Sequence, residues 1–585
     1  MRKIAFWILM AAFAIAAPAE DRRNTGIMHT NTRFQARSYA SLPEWQQRAE
    51  HLRKQILSAA GLMPLPGKCP LNPQIFGRIE NKDYSIEKVY IQTLPGFYLA
   101  GNLYRPLGRS GKFPAVAAPH GHATYGRLED GPLFSVPRRG VNMARMGYVM
   151  FGYDMIGYND TVQIPHAATG PREQLWGLGL LGLQTWNSIR VLDFLQSLPD
   201  VDPAQIAVTG ESGGGTQTFL LCAVDDRPKF SSPVNMISLI MQGGSACENA
   251  PNLRVGTNNV EIASLMAPRP MLMVAATGDW TKNTPQEEYP AVKAIYELYG
   301  KGDQVETVQF DAPHNYNQQS REAVYRFFAR RILNRPDWAE IKEKSIRQEK
   351  LQDLMVFHGR ALPADAIGYD RLVEQWIAAA RRQNEETGDP RVLRERLFYS
   401  IGARLPVQVE TVSEGERLVL SRPGEGDRVP ALWMPKPGTT AVLVVHPGGA
   451  VAARDSAAGR KALAEGRPVL AIDAFQTGSA VAPRDRSQGF FLTFNRSDDA
   501  NRVQDILTAG AFLRQQGIRE IRLVGLEKAA VWATFAAALS EAPLVLEAPL
   551  GGFRGTDDDF LRDFFVPGIQ RAGGLAAAQR ILAGN

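Results

Sequence analysis

Apolar residues recur at helical spacing from about Leu42 to Leu62, with Gly61 where a C-cap would stand, so the pattern predicts a helix leading into a folded unit. The period then switches to two. Tyr84 to Gln92 and Phe97 to Tyr104 alternate as strands, and Phe113 to Ala118 is a short apolar run ending at Pro119-His120-Gly121-His122. Tyr148 to Tyr153 predicts a buried strand, Leu175 to Gln196 a long amphipathic helix, and Gln205 to Thr209 a strand entering Gly210-Glu211-Ser212-Gly213-Gly214. Met236 to Met241, Pro270 to Ala275 and Val305 to Phe310 predict further strands, each followed by a loop and then helical sequence. Strands alternating with helices predict an α/β unit with a mostly parallel sheet. The Asn334-Arg335-Pro336 break ends it, which gives a first domain over 20–334.

Glu and Lys interleave after that break as on a solvated helical surface, predicting a charged helical connector over 335–388. Beyond it the first pattern starts again. Leu393 to Leu397 before Gly402 echoes Leu52 to Ile56 before Gly61, and Val442 to Val445 before His446-Pro447-Gly448-Gly449 echoes the run before His120-Gly121-His122. Val469 to Asp473 echoes the strand ending in Asp154, and Ile521 to Gly525 the strand ending in Gly210. The spacing between matched positions shortens steadily along the chain, as a repeat with contracting loops requires. The expectation is an internal duplication whose second copy, 389–585, is a degenerate and truncated α/β domain. Aligning Gly525 with Gly210 puts Glu527 where Ser212 stands, and the matched pattern stops before any equivalent of the Pro270 and Val305 strands. The truncated sheet predicts an edge that the first domain covers.

At 585 residues, with 44% hydrophobic and 22% charged, the chain is long enough for two to three packed globular domains. The net charge of +6 is spread without a dense Lys/Arg block, which excludes a nucleic-acid platform. Arg2 and Lys3, an apolar run from Ile4 to Ala17 and Ala17-Pro18-Ala19 before Glu20 predict a signal peptide over 1–19, hence a secreted or periplasmic protein. The run is shorter than the roughly 20 residues of a spanning helix, so no membrane span is expected after cleavage. Three cysteines, an odd number, leave at least one thiol unpaired within the chain.

Gly-x-Ser-x-Gly between a strand and an apolar helix presents a serine hydroxyl at the sheet edge, and a hydroxyl used as a nucleophile needs a base, an orienting acid and donors for the oxyanion. Ser212 is the candidate nucleophile. Three of the eight histidines follow it; His358 lies in the connector and His446 in the second copy, which leaves His314 as base. Asp279, after the Met271 to Ala275 strand, is the candidate acid, with Asp303 and Asp311 as rivals. The N–H groups of Gly213 and His122 are the candidate oxyanion donors. His120 and His122 could instead pack their loop, and a metal role would need further ligands, which the spacing does not reveal. Asp154 reads as a loop-organising carboxylate and Cys222 as a buried packing residue, while Tyr158, Trp176, Trp280 and Arg254 are candidates for a pocket wall.

On Leu103-Tyr104-Arg105-Pro106, His120-Gly121-His122, Gly210-Glu211-Ser212-Gly213-Gly214, Thr277-Gly278-Asp279 and Pro313-His314, the span from Leu42 to Leu333 resembles the α/β-hydrolase superfamily. Within it the resemblance is to bacterial acetyl xylan esterase-like and dienelactone hydrolase-like proteins. It implies a Ser-Asp-His triad, a backbone oxyanion hole, no cofactor or metal, and removal of acetyl or other small acyl groups from carbohydrates. No glutamate replaces Asp279, which sets the chain apart from glucuronoyl esterases. A prolyl oligopeptidase-type peptidase shares the triad order but adds a β-rich domain, and a two-domain binding protein without turnover is the third reading.

Overall fold

A computed structural model of the chain describes residues 20–584 except Pro543; the predicted signal peptide lies outside them. The first sheet comprises β1 (Gln74–Glu80), β2 (Tyr84–Leu94), β3 (Phe97–Pro106), β4 (Phe113–Pro119), β5 (Val149–Tyr153), β6 (Val201–Glu211), β7 (Pro228–Val234), β8 (Met271–Gly278) and β9 (Val305–Pro313). Its order is β1-β2-β3-β5-β4-β6-β7-β8-β9. The pairs from β1 through β3 to β5 are antiparallel and all later pairs are parallel. A largely parallel sheet must be covered on both faces, and here β4, β5 and β6 are buried between helix layers. The Leu180–Ser197 and Gly213–Val224 helices share one core with Leu52, Phe151 and Val208, while Val141, Phe327 and Phe328 pack Val116 and Met150 on the other face.

One predicted strand is displaced. Met236 to Met241 is not a strand; β7 is Pro228–Val234, and the chain leaves the sheet at Asn235, whose φ is 51°. Ser231, Ser232 and Pro233 disguise β7 because their side chains carry little apolar signal. The strand is held by parallel pairing and by Ser232 Oγ donating to the Leu272 carbonyl at 3.1 Å. β1 was also not legible, since none of its seven residues is buried on its antiparallel edge and their exposure lacks a period of two.

The connector differs from its expected form as well. Residues 341–350 run without helix along the first unit, where Arg321 clamps Glu343 and Asn142 exchanges hydrogen bonds with both backbone groups of Lys344. After a single helical turn at Leu351–Leu354, a long helix spans Tyr369–Glu386, whose Leu372, Val373, Trp376 and Ile377 are buried.

A second sheet follows, with β10 (Glu410–Glu414), β11 (Arg417–Ser421), β12 (Val429–Met434), β13 (Thr440–Val445), β14 (Val469–Ile472), β15 (Glu520–Gly525) and β16 (Leu544–Glu547) in the order β10-β11-β12-β14-β13-β15-β16. This is the order of the first seven strands of the first sheet, with the same switch from antiparallel to parallel pairing. The two sheets do not pair with each other. β16 ends its sheet with Val545 46% exposed, so the two units meet elsewhere, through helices and loops. Lys54 of the Leu42–Ala59 helix reaches Glu395 of the Pro390–Ile401 helix at 2.5 Å, and Trp376 Nε1 donates to the Trp176 carbonyl at 2.9 Å. The Arg571 guanidinium is buried between them and donates to the Gly61 carbonyl at 3.0 Å.

The segment around Asp21 to Asn24 lies on the second unit. Arg22 N–H donates to the Gly426 carbonyl at 2.9 Å, and Arg23 pairs with Asp505 at 2.5 Å. Among the described residues no helix is long and apolar enough to cross a membrane.

Candidate active site

The site stands at the carboxyl ends of the parallel strands, where an open α/β sheet leaves a crevice at its topological switch. Ser212 follows β6 and takes φ 56° and ψ −122°, conformational strain that a non-glycine residue adopts only when its surroundings enforce it. Two features enforce it here. Ser212 N–H donates to the Val234 carbonyl at the end of β7 at 3.1 Å, and the flanking glycines allow contacts that a side chain would block. A Cβ on Gly210 would lie 2.4 Å from the Pro119 carbonyl oxygen, and one on Gly214 2.6 Å from the same atom. The Gly213–Val224 helix starts directly after the serine, so the Gly213 N–H lacks an intrahelical acceptor.

Asp279 and His314 meet because their strands are neighbours in register. Gly278 of β8 is paired with Pro313 of β9, and the next residue of each carries the side chain. His314 Nδ1 lies 2.7 Å from Asp279 Oδ2, so the imidazole donates there and its Nε2 carries the lone pair. The other Asp279 oxygen accepts from Thr281 N at 2.7 Å and Thr281 Oγ1 at 2.5 Å, which fixes the carboxylate. Trp280 packs on the imidazole with centroids 4.3 Å apart, and Phe134 closes the other side at 6.0 Å. His314 Nε2 is buried and has no hydrogen-bond partner among the described residues, Ser212 included.

Of the rival acids, Asp311 is engaged with Thr277 Oγ1 at 2.6 Å. Asp303 precedes β9, in the short Gly302–Gln304 turn, where its carboxylate accepts from Gln304 Nε2 at 2.6 Å.

The loop after β4 is pinned to the serine turn by a residue the motif leaves unspecified. Glu211, buried, accepts from Gly121 N–H at 3.1 Å with one oxygen and from Arg139 Nη1 at 2.9 Å with the other. Arg139 lies over the Tyr316 ring at 4.5 Å, and Tyr316 OH is 2.7 Å from Thr209 Oγ1 of β6. One buried chain of contacts therefore ties the loops after β4, β6 and β9 together. Neither Glu211 nor Arg139 was singled out from sequence, because the middle residue of Gly-x-Ser carries no positional rule and an arginine on an amphipathic helix reads as surface.

His120 is a packing residue. It is fully buried, its Nδ1 donates to the Gly121 carbonyl at 2.7 Å and its Nε2 accepts from Met155 N–H at 2.9 Å. Burial lowers its pKa from 6.5 to about 3, which keeps the ring neutral. Asp154 organises the adjacent loop, bound to Arg127 and accepting from Asp160 N–H at 3.0 Å, and burial raises its pKa to about 6.

His122 faces differently. Its ring covers Gly213, where a Cβ would lie 2.7 Å from His122 Cε1, and its Nε2 lies 3.2 Å from His166 Nε2 and 3.1 Å from Cys247 Sγ. Partial desolvation of the otherwise exposed ring lowers the His122 pKa, with His166 and His314 adding to the effect against Glu248. The side chains that a metal role would need and that sequence spacing did not reveal, His166 and Cys247, thus stand beside it from 44 and 125 residues away along the chain.

Tyr158 packs edge-on against His120 and His166, and with Trp280 it flanks the site. Trp176 and Arg254 do not. Trp176 joins the two units through Asp557, and Arg254 is buried against Asn259 and the Glu248 carbonyl. Cys222 is buried and its thiol is pushed up to about 12. A cavity of about 350 Å³ lies between the units, lined by Leu178, Asn249, Phe491 and Pro567 among others, and none of Ser212, Asp279 and His314 lines it.

No protein-family model matches the chain. Over 299 residues, 48% of this chain, it is 27% identical to a Bacillus subtilis (strain 168) protein named putative hydrolase YtaP, 98% of which is covered. A solved structure titled Methylesterase BT1017 is 30% identical, with a TM-score of 0.52, covering 60% of this chain and 78% of that one. A Bacteroides fragilis structure titled a putative acetyl xylan esterase is 17% identical over 50% of this chain and 79% of its own, with a TM-score of 0.38. With its strand order, its serine turn and a methylesterase of 30% identity among its relatives, the chain belongs to the α/β-hydrolase superfamily.

Proposed function

We propose that this chain is an exported serine esterase that hydrolyses carbohydrate esters, with Ser212 as nucleophile, His314 as general base and Asp279 as the carboxylate that orients it. One observation carries the reading: at the end of neighbouring strands His314 Nδ1 is held 2.7 Å from a fixed carboxylate, which leaves Nε2 as a buried acceptor without a partner among the described residues, in a sheet whose β6 ends in a strained serine turn. In the reaction, Ser212 Oγ adds to the acyl carbon as its proton passes to His314 Nε2. The imidazolium then protonates the leaving alcohol, and water attacks the acyl-enzyme by the same route. The N–H groups of Gly213 and His122 are the proposed oxyanion donors; losing one such donor costs about 10²–10³ in turnover in comparable sites. The Ser212–His314 hydrogen bond forms when substrate closes the site, as is common for apo serine hydrolases.

The relative titled a methylesterase favours a second reading, cleavage of methyl esters instead of acetyl esters. The second unit is proposed to be a degenerate copy of the first. Its strand order supports this, and so does Glu527, which keeps the serine turn's backbone at φ 51° without a hydroxyl.

The test is turnover of purified full-length protein and its Ser212→Ala variant on acetylated and methyl-esterified polysaccharides and on peptide anilides. Ester turnover abolished in a folded variant supports the reading, and the preferred ester separates its two forms. Cleavage of anilides alone, or activity retained without the hydroxyl, refutes it.

A further inference from the structure

Three potential ligand atoms converge beside the serine turn and have no place in the proposed ester hydrolysis. His122 Nε2 from the loop after β4, His166 Nε2 from the loop after β5 and Cys247 Sγ from the loop after β7 all lie within 4.8 Å of one another. Two separations are shorter still, 3.2 Å between the imidazole nitrogens and 3.1 Å from His122 Nε2 to the sulfur. Around a tetrahedral zinc ion with bonds of roughly 2.0–2.1 Å to nitrogen and 2.3 Å to sulfur, neighbouring ligands stand about 3.3–3.6 Å apart. The two separations from His122 need only a few tenths of an ångström to reach that shell, and the third, within 4.8 Å, closes as His166 and Cys247 draw in on the ion.

The supports around these atoms favour coordination. His166 Nδ1 lies 2.7 Å from the Ile156 carbonyl, so it must donate there, and Nε2 is left as a lone pair aimed into the cluster. A backbone acceptor behind the non-ligating nitrogen is the arrangement that fixes the tautomer of metal-bound histidines. Ser245 Oγ lies 3.1 Å from Cys247 Sγ and 3.0 Å from Glu248 Oε2, so a hydroxyl and a carboxylate stand behind the sulfur. Cys247 is fully buried and none of the three cysteines is in a disulfide, so the sulfur has no oxidative partner in the chain. His122 is exposed, which opens the cluster to solvent on one side. The competing arrangement is a three-centre hydrogen bond, a single proton on His122 Nε2 shared between His166 and the sulfur. A cation would take that proton's position.

We propose that His122, His166 and Cys247 form a binding site for a borderline-soft divalent cation of the zinc class, with a fourth position left for water or an anionic ligand. Two imidazoles and a thiolate select such an ion over magnesium or calcium, which require oxygen ligands. Binding replaces the thiol proton, which leaves to solvent, and the ion takes the three lone pairs. The ligand on the serine side is the His122 ring, not the backbone N–H proposed as an oxyanion donor, so the site stands or falls independently of the hydrolytic assignment. With the ring clamped, the wall over Gly213 would be fixed.

Full-length protein, stripped with a chelator, is titrated with Co²⁺ and read by absorbance, then with Zn²⁺ against a chromophoric chelator. The expected result is one equivalent bound, with a thiolate-to-cobalt charge-transfer band and the strong visible bands of a tetrahedral ion. Cys247→Ser should remove the charge-transfer band, and both Cys247→Ser and His166→Gln should weaken Zn²⁺ binding by well over about 100-fold, beyond the range for lost second-shell partners. The substitutions lie on different loops, and circular dichroism of each confirms the fold. No binding by the parent protein, or binding unchanged in both folded variants, overturns the proposal.

Discussion

Acid should destabilise this protein through His120, and the size of the effect follows from its burial. The native ring holds off protonation until about pH 3, whereas an unfolded histidine protonates near its ordinary 6.5. Between those values the unfolded chain binds more protons than the native one, so stability falls as the pH drops. At ~1.4 kcal/mol per pH unit the full fall is ~5 kcal/mol, of which ~2 kcal/mol is lost by pH 5.

The perturbation is His120→Gln. Its side-chain carbonyl can still accept from Met155 N–H, while the donor to the Gly121 carbonyl is lost, for a pH-independent cost of ~1–3 kcal/mol. Urea unfolding of parent and variant at pH 7 and pH 5, followed by tryptophan fluorescence, gives the double difference. His51, whose pKa burial lowers to about 4, is common to both proteins and cancels. The variant should be less stable at pH 7, yet lose ~2 kcal/mol less than the parent on going to pH 5. The same acid dependence in both would refute the argument that the buried neutral ring sets it.

Asp279→Asn should cut turnover by about 10⁴, as loss of the orienting carboxylate does elsewhere, with Asp311→Asn nearly silent because Asp311 serves Thr277; steady-state kinetics on an aryl acetate checks both, and the opposite ranking would move the acid. Glu211→Gln leaves the Arg139 guanidinium buried without its counter-charge and should cost ~3–5 kcal/mol, read by urea unfolding. Adding Arg139→Met should recover part of that loss, whereas additive losses would show that the two do not act as a pair. Protein comprising residues 388–585 should have no esterase activity, since Glu527 occupies its serine-like turn. Turnover abolished by Glu527→Gln would contradict this.

The sequence was most legible where local pattern and tertiary role coincide. The run at Phe113 to Ala118 is a strand because it buries an apolar stretch, Val305 to Phe310 is one at the end of the sheet where only Val305 is fully buried, and His314 follows that strand directly. β7 was missed because Lys229-Phe230-Ser231-Ser232-Pro233 owes its extended form to neighbours on both sides, and the apolar run beyond it is a buried loop that imitates a strand. Ser212, Asp279 and His314 could be named because each follows its own strand. His166 and Cys247 could not, since what relates them to His122 is the sheet order, which sets three separate loops side by side. Glu211 was hidden for a similar reason, as its partners Gly121 and Arg139 come from other elements.

The crossed attachments of the chain's two ends carry a consequence for biosynthesis. Arg22 and Arg23, among the first described residues to leave a ribosome, bind Gly426 and Asp505, whereas Arg571, among the last, closes over Gly61. Neither half can complete its surface from its own residues. During translation the early segment must wait, unbound, for more than 400 residues to emerge before Gly426 is available, and the Gly61 turn stays open until Arg571, 510 residues further on, has followed. The native state is therefore sealed late and in two steps, first where Arg22 and Arg23 meet Gly426 and Asp505 and then where Arg571 meets Gly61, and a nascent chain stalled before Gly426 would leave both seams open, which is the surface a chaperone would meet.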